Sequence, residues 1–335
     1  MSTPKENLLR AMRNEAPRWF GDPWSCFNTT PDGKPFIIDP VTLYIGKPVK
    51  GETGFVDKWG VTWDFPRDQP GPTPNITMSN KALKDITHWC EEVKFPSLKE
   101  VNWDAYPDVL ESLDRETRLV MFCNPTGLFE FCHALMGFED TLVNFLLEPD
   151  SMADLLSAYA DWKIEAVKII IDTAKPDFII NFDDWGSKHK LFLSPDIWRA
   201  IIKPAYEKFY SYIKSRGVMI MHHCDCYAQD LALDMVDLGI DIWQGSTPEN
   251  DIREVLERTD GKLFLLGGID MSVIDFNDAP EALIRGHIRK VYNDYAALGN
   301  FMPGYTSTRP VYDRVFHIAS DEMDRYGAEF MKNYT

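Results

Sequence analysis

The chain has 335 residues, 44% of them hydrophobic, enough for one large α/β barrel or two smaller domains with a substantial core. That excludes a disordered chain and a mini-protein dependent on disulfide staples. With 35 Lys plus Arg against 52 Asp plus Glu, the formal charge is −17, which disfavours nucleic acid and anionic lipid as partners. Six cysteines do not make a secreted disulfide framework, so reduced thiols are expected, some of them available to a metal.

Thr3 followed by Glu6 reads as a capping box, and Pro4 suits the first position of a short helix with Leu8, Leu9 and Met12 as its apolar stripe. This start lacks the apolar core of a signal peptide. No run of about 18 apolar residues occurs, so a cytoplasmic protein without membrane spans is expected. Residues 17 to 80 are rich in proline, and short strands are expected at Phe36–Ile38, Leu43–Ile45 and Val61–Trp63. Residues 1–80 therefore read as an N-terminal elaboration with a small antiparallel sheet, packed on a barrel formed by residues 81–335, the whole a single structural domain.

After residue 80, strand-length apolar runs alternate with helical stretches. Leu119–Cys123 runs into the loop Asn124–Gly127. A helix follows from Ser151 to Thr173, with Met152, Leu155, Leu156, Tyr159 and Trp162 on one face. Phe178–Phe182 ends in Asp183-Asp184-Trp185-Gly186. A helix carrying Ile201, Ile202, Tyr206 and Tyr210 leads to Val218–Met221, which ends in His222-His223-Cys224-Asp225-Cys226. Ile242–Gln244 ends in Gly245–Glu249, Leu263–Leu266 in Gly267–Asp270, and Phe301–Met302 in Pro303-Gly304-Tyr305, with helices between them. Such units imply a parallel sheet, and their number and length favour a (β/α)8 TIM barrel over an open doubly wound sheet. The residues with chemistry fall just past the strand ends, which in a barrel is the active-site face.

His222, His223, Cys224 and Cys226 concentrate metal-ligand types. In an extended segment residues two apart share a side, so His222 and Cys224 are expected to face one pocket, with His223 turned away and Cys226 set by the loop. Imidazole and thiolate suit Zn²⁺. The competing reading is a buried strand end with His and Cys as small packing residues. In the Asp183–Asp184 pair, alternation points one carboxylate into the barrel mouth as a base, a positioner or a partner of the histidine, against the plainer role of capping a helix. Asn124, Trp185, Gln244 and Asp270, all at strand ends, are the substrate-binding candidates; Asp270 also fits a helix cap. No GxGxxG, P-loop, GxSxG or HExxH pattern occurs, which argues against nucleotide transfer, an α/β-hydrolase and a zincin.

These motifs, in this order, resemble the uroporphyrinogen decarboxylase superfamily, and within it the cobamide-dependent methyltransferases. Residues Asn7–Pro17 are similar to that branch's opening helix, and Asp57-Lys58-Trp59-Gly60-Val61-Thr62-Trp63 to its hairpin. Asp183-Asp184 with Leu193-Ser194-Pro195 and Lys203-Pro204 resembles the mid-barrel segment, and Met221-His222-His223-Cys224 the zinc motif. The resemblance implies a TIM barrel in which Zn²⁺, held partly by His222 and Cys224, activates a methyl donor or acceptor. It also implies exchange of the methyl group with a methylcobamide on a separate corrinoid protein. The substrate would be a thiol or a methylated small molecule, a methoxylated aromatic among the options.

Two departures stand out. Tyr305 occupies the position of a third, cysteine ligand, which leaves Cys226, Glu249 or an aspartate to complete the metal site and makes Tyr305 a catalytic candidate beside Asp183 and Asp184. Asp225 replaces the motif's glycine. Uroporphyrinogen decarboxylation itself is the alternative, but Arg10, Arg13 and Arg18 do not form that enzyme's arginine-rich motif. A non-catalytic binding protein on the same barrel is the other.

Overall fold

The computed structural model describes residues 2–15, 20–30, 35–103, 106–124 and 126–333. Helix Pro4–Met12 starts on the expected capping box: the Glu6 N–H donates to the Thr3 hydroxyl (3.2 Å) and the Thr3 N–H donates to the Glu6 carboxylate (3.0 Å). Among the described residues the strands are β1 Ile37–Ile38, β2 Phe55–Val56, β3 Thr62–Asp64, β4 Thr73–Pro74, β5 Met121–Asn124, β6 Phe178–Phe182, β7 Met219–His223, β8 Ile242–Ser246, β9 Phe264–Ile269 and β10 Phe301–Tyr305.

The main sheet is parallel and runs β1-β5-β6-β7-β8-β9-β10, each strand beside the next in chain order, with helices as the crossovers. This is the TIM-barrel arrangement, and seven barrel strands are described. Ile, Leu, Phe and Met dominate these strands because a parallel sheet covered by helices is buried on both faces. The first strand comes in two pieces. Phe27 bridges in parallel to Leu119, and Ile37–Ile38 pairs with Phe122–Cys123. The turn Pro23–Cys26 that leads into the first piece packs on β10, with the Pro23 ring 3.0 Å from where a side chain on Gly304 would begin. First and last strands therefore meet through this turn.

The small antiparallel sheet, β2-β3-β4, forms as expected. Two details differ. Ile37–Ile38 belongs to the barrel sheet, so residues 1–80 supply a barrel strand as well as the elaboration. Leu43-Tyr44-Ile45, expected as a strand, lies in the helix Pro40–Ile45, because Asp39 caps it through the Val41 and Thr42 N–H groups (2.8 and 3.0 Å) and Pro40 takes the first turn. That capping chemistry outweighs β-branched propensity.

The longest helix, Pro149–Ala174, buries Met152, Leu155, Leu156 and Tyr159 against the barrel, and its Trp162 indole N–H donates to Pro96 O (2.9 Å). Among the described residues no helix is long and apolar enough to cross a membrane.

Candidate functional site

The two aspartates after β6 divide as alternation requires, one to each side. Asp183 is fully buried and turns outward, into the layer between sheet and helices. Its carboxylate accepts from the N–H groups of Phe129 (3.1 Å) and Glu130 (2.8 Å), the Tyr206 hydroxyl (2.6 Å) and the Trp185 indole N–H (2.9 Å). It thus occupies the N-terminus of helix Leu128–Met136, where backbone N–H groups lack partners within the helix. Gly127 must be glycine, since a Cβ there would fall 2.0 Å from that of Asp183. Asp183, a catalytic candidate by sequence, is thus engaged in holding this helix start.

Asp184 faces the turn after β7. Its carboxylate accepts from the Asp225 N–H (2.9 Å), and it forms one group with Cys224 and Cys226, whose ligand atoms all lie within 4.8 Å of one another. The two sulfurs are 3.1 Å apart, and the Gly186 N–H donates to the Cys226 sulfur (3.1 Å). Burial, with the nearby Asp225 and Asp183 carboxylates, holds Asp184 well above the usual carboxylate range. Glu130 is raised in the same way, by burial and then by Asp183 and Asp184. Burial also raises both thiols. An anionic donor set whose members push one another toward the protonated form is what a divalent cation relieves, so two thiols and a carboxylate fit a zinc-type ion.

His222 is not in this group. Its Nδ1 pairs with the Tyr210 hydroxyl (2.7 Å) and its Nε2 with Asp183 O (3.2 Å), while Trp185 lies over the ring at 4.2 Å. Burial pushes its pKa down to about 3. The register that aligns His222 with Asn181 and Trp243 turns these residues toward the helices, and the chain must twist after β7 to bring Cys224 beside Asp184. His223, expected to point away, pairs through Nδ1 with Gln244 Oε1 and packs against the Phe182 ring (4.7 Å).

The other sequence-derived candidates scatter. Trp185 is buried between layers and does not line the cavity described below. Tyr305 directs its hydroxyl to Ser320 of the C-terminal helix (3.2 Å), away from the thiols, because the last residue of β10 faces outward. Gln244 is fixed by His223 and by donating to Tyr305 O (3.0 Å). Asp270 caps helix Met271–Ile274 through the Ser272 N–H (2.8 Å) and pairs with Lys188 (3.0 Å). Glu249 pairs with the same lysine (3.1 Å) and is not grouped with the sulfurs. Arg10 and Arg13 are paired with Glu15 (3.1 and 2.9 Å), and Arg18 lies outside the described residues.

A cavity of about 810 Å³ lies at the C-terminal ends of β1, β5 and β6, roofed by the antiparallel sheet. Asn124 lines it. Phe182 lines it too, two residues before Asp184, so one strand end serves both places. The hairpin supplies Asp57, Trp59 and Trp63. Asp57 accepts from the Trp59 N–H (2.8 Å), the Val61 N–H (3.0 Å) and the Trp63 indole (2.8 Å), which explains the spacing of this motif. Trp59 meets Phe95, Phe131, Tyr159 and Trp162 edge-on at 4.8 to 5.7 Å. Reading the sequence missed Lys163, which is 1% exposed in the cavity wall and donates to Thr126 O (2.9 Å). The available signal was a lysine four residues after Tyr159 on the apolar face of its helix.

The uroporphyrinogen decarboxylase (URO-D) family model matches residues 56–302. No curated protein matches the sequence. Among solved structures, a methyltransferase from Methanosarcina mazei has the same fold, with a TM-score of 0.62 at 14% identity over 97% of this chain and 99% of that one.

Proposed function

The chain belongs to the uroporphyrinogen decarboxylase family, and within it we propose a metal-dependent methyltransferase that moves a methyl group between a small molecule and a corrinoid carried by a partner protein. The observation that carries this reading is the group Asp184, Cys224 and Cys226 at the strands' C-terminal end. The methyltransferase from Methanosarcina mazei on the same fold supports it. So does the pairing of Arg10 and Arg13 with Glu15, which leaves those two side chains engaged away from a polycarboxylate substrate.

Asp184, Cys224 and Cys226 would hold the ion, which we assign as Zn²⁺. Bound there, it would supply Lewis acidity toward a methylated heteroatom or an accepting thiol. The protein's own part is positional. Asp225 N–H and Gly186 N–H orient Asp184 and Cys226, and Asp183 locks the β6 end to helix Leu128–Met136 so that Asp184 cannot swing away.

Metal analysis of the purified protein, paired with a methyl-transfer assay to a corrinoid acceptor, is the test. One zinc per chain that disappears in Cys224→Ser and Cys226→Ser together with transfer is the expected result. Full transfer by those variants, or conversion of uroporphyrinogen to coproporphyrinogen by metal-free protein, overturns the proposal.

A further inference from the structure

The two sulfurs of the proposed metal group are buried: Cys224 is 0% and Cys226 4% exposed. An ion reaches them only after a neighbouring piece of chain moves. Two pieces enclose them, and their hydrogen bonds show which one is free to move.

The turn that carries the cysteines is pinned. The Asn250 side chain accepts from the Ala228 N–H (2.8 Å) and the Gln229 N–H (2.9 Å) and donates to Cys226 O (3.0 Å). Asn250 is 1% exposed, so lifting this turn would strand a buried amide. The other piece is the hairpin of residues 185–192, which follows Asp184. Gly186 bridges Leu191, the Ser187 N–H donates to Lys190 O (2.8 Å) and the Phe192 N–H to Trp185 O (3.0 Å), so the hairpin holds its own shape. It lies flat on the cysteine turn. The Gly186 N–H meets the Cys226 sulfur (3.1 Å), the Tyr227 N–H donates to Ser187 O (2.8 Å), and a Cβ on Gly186 would fall 2.4 Å from Tyr227 O. Its tip, Lys188-His189-Lys190, is exposed. A hairpin closed on itself, with few contacts beyond its base, opens as a unit at low cost.

Lys188 holds the tip. Its ammonium donates to Asp270 (3.0 Å) and to the Ser272 hydroxyl (2.7 Å), and pairs with Glu249 (3.1 Å). The hairpin leaves β6, whereas Glu249 follows β8, and Asp270 and Ser272 follow β9. One side chain therefore spans the end of β7, where the cysteines sit, and ties the hairpin down on the far side. The acceptors are preset: Asp270 is held by the Ser272 N–H (2.8 Å), and Glu249 turns one oxygen to Lys188. These carboxylates are 21% (Glu249) and 11% (Asp270) exposed, so water screens the pairing less than it does a surface ion pair.

We infer that residues 185–192 form a movable cover over the Cys224–Cys226 pair, and that Lys188 is the positioning residue that latches it to Glu249 and Asp270. The latch sets how fast anything from solution reaches the sulfurs. The inference rests on the proposed function for the ion that passes beneath the cover; the cover itself is defined by its contacts with the cysteine turn.

Labelling of the full, metal-free chain with N-ethylmaleimide, read peptide by peptide by mass spectrometry, tests this. The exposed Cys90 marks the reagent's own speed, and the buried Cys26 and Cys132, on other elements, report opening of the whole fold. Lys188→Gln is expected to speed labelling of Cys224 and Cys226 by about tenfold with Cys26 and Cys132 unchanged, while Lys188→Arg stays within about threefold of wild type. Unchanged labelling of Cys224 and Cys226 in Lys188→Gln, or an equal rise at Cys26 and Cys132, overturns the inference. Release of zinc to a chelator from loaded protein separates the two claims. Zinc that is lost in Cys224→Ser, yet leaves Lys188→Gln no faster than wild type, removes the cover and keeps the metal site. Faster labelling in a chain that binds no zinc keeps the cover and removes the metal site.

Discussion

The sulfur of Cys224 lies 3.1 Å from that of Cys226, with the Asp184 carboxylate beside both. Burial raises the two thiols, so an ion bound here must displace protons. Apparent metal affinity should therefore rise with pH across the neutral range, measured by competition with a chelator. Asp184→Asn should weaken binding by about 10- to 100-fold, since an amide brings no charge to the ion. A pH-independent affinity would place the ion elsewhere.

His222 makes a contrasting prediction. Its two ring nitrogens are bonded to Tyr210 and to the Asp183 carbonyl within the sheet–helix layer. His222→Ala should destabilise the protein by about 2 to 4 kcal/mol through the cavity and the orphaned hydroxyl, yet leave metal content per folded chain unchanged. Denaturant melts and metal analysis on the same sample distinguish this from a ligand role, in which metal would vanish first.

Asp183 accepts four hydrogen bonds, so Asp183→Asn places an amide N–H₂ among donors. A loss of about 3 to 5 kcal/mol is expected. Activity lost in step with the folded fraction would identify a structural residue; loss of turnover at full stability would return it to catalysis.

Tyr305→Phe removes only the hydroxyl that meets Ser320. A cost of about 1 kcal/mol and turnover within about twofold of wild type are expected, which steady-state kinetics can check. A large fall in kcat would show that the residue reaches the reacting atoms.

His133 packs its ring between Phe129 and Phe138 (5.6 and 6.0 Å), and burial pushes its pKa down to about 4. A histidine held neutral in the fold while the unfolded chain takes up a proton loses stability as pH falls below its unfolded value. Relative to His133→Leu, wild type should be unaffected above about pH 6.5 and lose about 1.4 kcal/mol per pH unit from there toward pH 4. Urea melts across that range measure it; a constant difference would mean that the ring is solvated.

The barrel was readable because its strands are apolar on both faces and its helices carry a 3.6-residue stripe, so each element announces itself locally. The helix at Pro40–Ile45 was not, since Leu, Tyr and Ile there have strand propensity and only the Asp39 cap tips the balance. Similarly, Asp57 and Trp63 could be matched to a hairpin motif, while the indole-to-carboxylate bond that gives the motif its spacing appears only once the turn is folded.

Composition and motif order by themselves determined the family, the barrel and the strand ends where chemistry collects, because those depend on patterns along the chain. Tertiary structure alone decided which side chains meet. Strand register sent Asp183 and His222 toward the helices, and the turn after β7 carried Cys224 and Cys226 to Asp184. A two-residue alternation predicts sides but does not say which side is the mouth: that is set by pairing with neighbouring strands, and a shift of one residue reverses it.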